Sequence, residues 1–201
     1  MTREQIEAFQ RTHANHLGRA LRVDGVLGPL TEWALDYETI AHERQAIVFS
    51  AQTYIDFLEN PRGSNDDPQG IIRRWLERCG AKPRDPWCAA FVSHCLSVGL
   101  HPKVPIAIAG AQRLGKFLRA TTDPWPGDVM WYPTQGDRGH CGIVLGVSAT
   151  EVMTIEGNHD HGVRCVRRPR PGLFFASSVQ DTVGTCPGVV PSVPLPHGST
   201  R

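Results

Sequence analysis

Asp85-Pro86-Trp87-Cys88-Ala89-Ala90-Phe91-Val92-Ser93-His94-Cys95-Leu96 reads as the start of a helix, and the rest of the chain is best read from it. Asp85 suits an N-cap, because its carboxylate can accept first-turn N–H groups that lack a helical partner. Pro86 suits the first helical position, where no N–H is needed. Cys88 then lies in the first turn, where unpaired amides and the positive end of the helix dipole favour a thiolate, lowering the pKa from its ordinary value of about 8.5. Taken alone, Cys88 reads more readily as a small core residue, which is what most free cysteines are. Its company points elsewhere: Gly139-His140-Cys141-Gly142-Ile143-Val144 and Thr154-Ile155-Glu156-Gly157-Asn158 follow in order. They offer the base, and the groups to orient that base, which cysteine catalysis requires.

The chain has 201 residues and 40% hydrophobic content, enough for one medium domain or for a small module followed by a catalytic domain. Twenty-one Lys and Arg against 20 Asp and Glu give a formal charge of +1, no footprint for nucleic acid or an anionic membrane. Met1-Thr2-Arg3-Glu4-Gln5 lacks a basic segment followed by an apolar run, and no stretch reaches the length of a membrane span. Synthesis in the cytoplasm without a signal peptide is therefore expected. Six cysteines, at positions 79, 88, 95, 141, 165 and 186, include no CxxC pair, which argues against structural zinc and against a disulfide scaffold. Cys88 and Cys95 share a helix face, but seven residues at about 1.5 Å of rise each hold them too far apart to bridge.

Thr2 and Gln5 form a capping-box pattern, and Ile6, Phe9, His13 and Leu17 follow at roughly helical spacing, predicting a first helix interrupted at Gly18. Asp24-Gly25 and Gly28-Pro29 are turn signals, and Leu30, Trp33 and Ala34 mark a second helix after Pro29. The run Val23-Asp24-Gly25-Val26-Leu27-Gly28-Pro29-Leu30-Thr31 resembles the small helical peptidoglycan-binding module of cell-wall hydrolases. It departs from that family in its last helix, expected from Tyr37 to about Ala46, which lacks the usual Phe-Gln ending. The resemblance makes Asp24 a candidate for substrate contact; the plainer alternative is that Asp24, Gly25, Gly28 and Pro29 only build turns.

An amphipathic helix is expected from Ala46 to Leu58, a loop over Asn60 to Pro68, and another helix through Ile71, Ile72, Trp75, Leu76 and Cys79 ending at Gly80. Pro102 and Pro105 keep the next stretch irregular before a short helix around Leu114 to Leu118. Val129 to Tyr132, Cys141 to Val147 and Glu151 to Glu156 read as strands of an antiparallel sheet, with Val163 to Arg168 and Phe174 to Ala176 as further candidates. The tail from Pro187 is rich in proline, glycine and serine, and disorder is expected there.

His140 opens an apolar strand and is placed to protrude toward the start of the Cys88 helix. Strand alternation turns Cys141 away from it, into the core, as an inert thiol. Glu156 and Asn158, two apart in an extended chain, share a face, and either can accept the second imidazole N–H. A turn at a hairpin end is their plainer reading. His94 lies six residues beyond Cys88 on a different side of the helix and is excluded as the base. His159 and His161 lack companion ligands at a metal-binding spacing, so neither a metal nor a cofactor is expected.

These three blocks, with Pro126-Gly127-Asp128 ahead of the first strand, resemble the CHAP family. The resemblance runs from about Ala46 to Arg168, with His94 where the family often has tryptophan and Cys141 where it usually has valine. It implies an α+β, papain-like (CHAP/NlpC-type) domain with helices packed on an antiparallel β-sheet, preceded by a small all-α module. The implied division is 1–45 for the module, 46–183 for the CHAP-like domain and 184–201 for the tail. The implied activity is hydrolysis of an amide bond in peptidoglycan by Cys88 as nucleophile and His140 as base. Glu156 and Asn158 would support the base, Trp87 would touch substrate, and the Cys88 N–H would bind the oxyanion. A catalytically inactive wall-binding protein and a cysteine amidase or acyltransferase on a non-wall substrate are the alternatives. Peptidoglycan is the expected partner, reached after lysis or specialised secretion, with an immunity protein if the chain is an effector.

Overall fold

The computed structural model describes residues 1–100, 106–136 and 138–179. Helices α1 (Arg3–Thr12), α2 (Pro29–Thr39), α3 (His42–Gln52), α4 (Ile71–Arg78), α5 (Cys88–Gly99) and α6 (Ala111–Phe117) precede strands β1 (Arg119–Thr121), β2 (Val129–Pro133), β3 (Gly139–Val147), β4 (Glu151–His159), β5 (Gly162–Pro169) and β6 (Phe174–Ser177). The strands form one antiparallel sheet in the order β1-β6-β2-β3-β4-β5. The chain is thus α+β, with helices first and the sheet after them. Three-residue β1, exposed and built from Arg, Ala and Thr, carries no alternation by which sequence could find it. Cys186 and the expected disordered tail lie outside the described residues.

α1 has the capping box formed by Thr2 and Gln5. It stops at Thr12, not near Leu17, because His13 turns extended and the Asn15 side chain accepts the N–H groups of Leu17 and Arg19 to make a turn. The helices expected over 37–46 and 46–58 are instead α2, closing at Thr39, and α3, opening at His42 and closing at Gln52. The position 45/46, expected as a domain border, therefore falls inside α3. Two side chains tie this region to the sheet. The Trp33 indole donates to the Leu145 carbonyl at 3.0 Å. Arg44, fully buried, donates to Asp128 Oδ1 at 2.6 Å, to the Pro126 carbonyl at 3.2 Å and to Ser177 Oγ at 3.0 Å. A buried guanidinium holds its place only when its donors are matched in this way.

α5 is apolar nearly all round and sits between α3 and α4 on one side and β3 and β4 on the other. Its Phe91, Val92, Cys95 and Leu96 join Ile47, Val48, Ile72, Leu76, Ile143, Leu145 and Ile155 in one core. The opposite face of the sheet carries a smaller cluster of Met130, Val144, Val152 and Phe175. The five described cysteines, at 79, 88, 95, 141 and 165, are all free thiols.

The start of α5 differs from the pattern read in sequence. Trp87, not Asp85, occupies the N-cap position, and no side chain caps the helix. The Asp85 carboxylate accepts the Lys82 N–H at 2.9 Å instead, closing the preceding turn, so it does not reach the helix. α5 consequently begins at Cys88 itself. The neighbouring α4 does have a carboxylate cap: Asp67 accepts from the N–H groups of Ile71 and Ile72 at 3.0 and 2.7 Å.

Candidate active site

Cys88, the first residue of α5, is 5% exposed and faces the His140 end of β3. Its thiol is held well below the ordinary range, first by a hydrogen bond from Cys141, against the opposing effect of burial, and then by His140 and the Ala89 N–H. Cys141 is correspondingly pushed up, because it keeps its proton to donate to Cys88. Cys141 is in the core, as its place in the strand predicted, but it is not chemically idle. Alternation directs it into the α5–sheet interface, and that interface is where the helix presents Cys88.

His140 lies opposite Tyr132 on β2, with the two rings 5.8 Å apart. Its Nε2 donates to Glu156 Oε2 at 2.8 Å, which leaves Nδ1 for the thiol side. Burial lowers the imidazole's basicity, but hydrogen bonds to Cys88 and Glu156 more than offset this and raise its pKa to about 9. Both shifts run in the direction that favours a thiolate beside an imidazolium.

Glu156 is fully buried. Oε1 accepts from Thr154 Oγ1 at 2.7 Å and from Arg168 Nε at 2.6 Å; Oε2 accepts from Arg168 Nη2 at 2.6 Å as well as from His140. Burial raises the carboxyl pKa, yet these partners, Arg168 foremost, bring it down to about 2. Gly142 makes the close approach possible: a Cβ there would lie 2.7 Å from Glu156 Cγ.

Asn158 does not join Glu156 on His140. The expectation of a shared face assumed an extended chain, but the register shifts between Glu156 and His159 and Asn158 takes φ 55°. Its amide, set in the orientation that satisfies both ends, accepts the Trp87 N–H at 3.1 Å and donates to Glu59 Oε1 and Asn65 Oδ1 at 3.2 Å each. Asn158 thus supports the entry to α5.

Trp87 is likewise not available to substrate. It has no exposed surface, its indole N–H donates to Glu59 Oε1 at 2.9 Å, and its ring packs against Phe57, Trp75 and Phe91. A Cβ on Gly157 would come within 2.7 Å of it. The ring expected to touch substrate is the anchor of the nucleophile-bearing turn.

Asp24 is also engaged locally. Oδ1 accepts the Val26 N–H and Gln10 Nε2 at 3.0 Å each, while Gln10 Oε1 accepts the N–H groups of Asp24 and Gly25. This is a turn organised by a buried glutamine.

His94 hydrogen-bonds the Tyr54 hydroxyl at 3.2 Å and stacks obliquely near Trp75, consistent with its exclusion as base. His159 and His161 face different buried carboxylates, Glu156 at 3.5 Å and Glu59 at 3.6 Å. A ring nitrogen of His140, a Glu156 oxygen and a ring nitrogen of His159 do lie within 4.8 Å of one another, near enough for shared ligation. Both Glu156 oxygens already carry the Arg168 cation, however, and a second cation there would be opposed by it.

Sequence reasoning missed Arg168, Thr154, Tyr132 and Glu59. Thr154 was recoverable, being two residues from Glu156 on the same strand face. Nothing local marks Glu59 or Arg168, whose roles come from pairing between distant segments. Against family models, the CHAP domain matches residues 80–158. A search among curated proteins finds no match to the chain.

Proposed function

We propose, from the match of residues 80–158 to the CHAP domain, that the chain is a peptidoglycan hydrolase that cleaves an amide bond of the wall peptide through a Cys88 thioester. CHAP domains are typically cysteine- and histidine-dependent amidases or peptidases, and peptidoglycan is the substrate they suggest. The observation that carries the assignment to these residues is the buried chain of Cys88, His140 and Glu156, with Nε2 of the imidazole 2.8 Å from the carboxylate.

In this reading the Cys88 thiolate attacks the amide carbonyl carbon, and the C–N bond breaks as His140 Nδ1 gives its proton to the departing amine. Neutral His140 then takes a proton from water, whose oxygen attacks the thioester and releases the acid and the thiolate. The Cys88 N–H at the helix N-terminus is the proposed oxyanion donor in both halves, and losing such a donor typically costs on the order of 100-fold or more in rate. Glu156 fixes the imidazole tautomer and stabilises the imidazolium. The N-terminal helices are proposed as a wall-binding module. Release by lysis, as with an endolysin, or delivery as an antibacterial effector, with an immunity protein in the producing cell, would bring the enzyme to its substrate.

Mass analysis of peptidoglycan digested by the wild type and by Cys88→Ala tests this. Muropeptides with a new amine and a new carboxyl end should appear with the wild type alone and identify the bond. A folded wild type that releases nothing from several wall chemistries would move the activity to a non-wall amide.

A further inference from the structure

Arg168 lies ten residues beyond the end of the matched domain region, on β5, yet it makes more bonds to Glu156 than His140 does. The guanidinium meets the carboxylate edge to edge, Nε on Oε1 and Nη2 on Oε2, both at 2.6 Å. A planar fork of donors fixes a carboxylate in rotation as well as position, which an ammonium cannot do. The guanidinium is itself held over the Tyr132 ring, 5.1 Å from the centroid, and Tyr132 in turn lies beside His140. Arg168, Tyr132, His140 and Glu156 therefore form a closed group, contributed by four different strands.

We propose that Arg168 is a positioning residue of this site: it locks Glu156, ionised, in the rotamer that holds His140, and so keeps the Cys88–His140 pair reactive under acid conditions. This rests on Cys88 and His140 being the reactive pair. The physical reason is the burial of Glu156. A carboxylate with no solvent exposure and only a neutral hydroxyl and an imidazole as partners would regain its proton at far higher pH. Once protonated it would no longer stabilise the imidazolium, and the thiolate would be lost with it. The groups that interact with Glu156 are Tyr132 from β2, His140 and Cys141 from β3, Thr154 and His159 from β4, and Cys165 and Arg168 from β5; Cys88 of α5 acts on it through His140. Arg168 is the permanent cation among them.

The test is the pH dependence of iodoacetamide labelling of Cys88, followed by peptide mass spectrometry, in the wild type, Arg168→Gln and Arg168→Lys. This readout needs no wall substrate. Arg168→Gln should move the acid edge of labelling toward neutral pH by about one unit or more, so that labelling below the new edge falls about tenfold. Arg168→Lys, with one-point contact, should move it in the same direction by less. Combined with Glu156→Gln, Arg168→Gln should add little, because its effect passes through that carboxylate. A folded Arg168→Gln whose rate falls equally at every pH, with its acid edge unmoved, overturns the proposal. Should Arg168→Gln not fold, an unmoved edge in Arg168→Lys overturns it equally. A wild type in which Cys88 is not selectively labelled would instead overturn the assignment of the reactive pair, and this proposal with it.

Discussion

Asn158 accepts the backbone N–H of Trp87 at 3.1 Å, one residue ahead of Cys88. Glu156, two residues earlier on β4, holds His140. One strand end therefore positions both halves of the proposed reactive pair, the thiol through the turn that carries it and the imidazole directly.

The two residues should fail differently. Asn158→Ala leaves the Trp87 backbone N–H without that acceptor and removes one of the donors to Glu59, which keeps the Trp87 indole and the Asn65 N–H, so we expect about 1–3 kcal/mol of lost stability and slower Cys88 labelling, with the acid edge unchanged. Glu156→Gln should move that edge. Thermal melts and labelling profiles measured together check the contrast, and an edge shift in Asn158→Ala would contradict it.

Cys141→Val tests the thiol beneath the nucleophile. The swap is close in volume and apolar, so the fold should lose less than about 1.5 kcal/mol. Cys88 loses the donor that contributes most to lowering its pKa. Labelling of Cys88 should therefore weaken as pH falls below neutral, while matching the wild type in alkali, where the thiolate forms regardless. Identical profiles would show that the Cys141 contact is without chemical effect.

Arg44 and Asp128 form a buried ion pair at 2.6 Å, with both side chains almost inaccessible. Arg44→Met strands a carboxylate whose pKa burial already raises despite the arginine. A loss of about 3–5 kcal/mol is expected, measured by urea unfolding. Replacing both partners with apolar residues should recover much of it.

His16 is 2% exposed, neither ring nitrogen has a partner among the described residues, and burial lowers its pKa from 6.5 to about 4. The folded state favours the neutral ring, so between these two values the unfolded chain binds more protons. Stability from this site is full above pH 6.5 and declines as the pH falls toward 4. His16→Leu should remove that decline. Its Tm relative to the wild type should rise steadily as the pH is lowered through this window, and a constant difference would refute the assignment.

The elements of the fold were legible wherever one segment's own pattern carried the information. The cysteine helix and the strands over 129–132, 141–147 and 151–156 required only local pattern: short apolar runs bounded by turn residues, as burial on both faces of a sheet imposes. Cys88 and His140 were legible for a similar reason, since each sits at the start of such an element. Tertiary structure decided the rest. Asp85 was spent on Lys82 rather than the helix, Trp87 was buried against Glu59, and Asn158 turned away from His140 once its backbone left the extended conformation. Cys141 and Arg168 acquired their partners only when α5 met β3 and β5 paired with β4. Sequence on its own marked Cys88, His140 and Glu156 as candidates, because residue type and position in an element are local properties; it did not mark Arg168, Tyr132 or Glu59. Which group met which depended on strand register and side-chain burial, and those are properties of contacts between segments far apart in the chain.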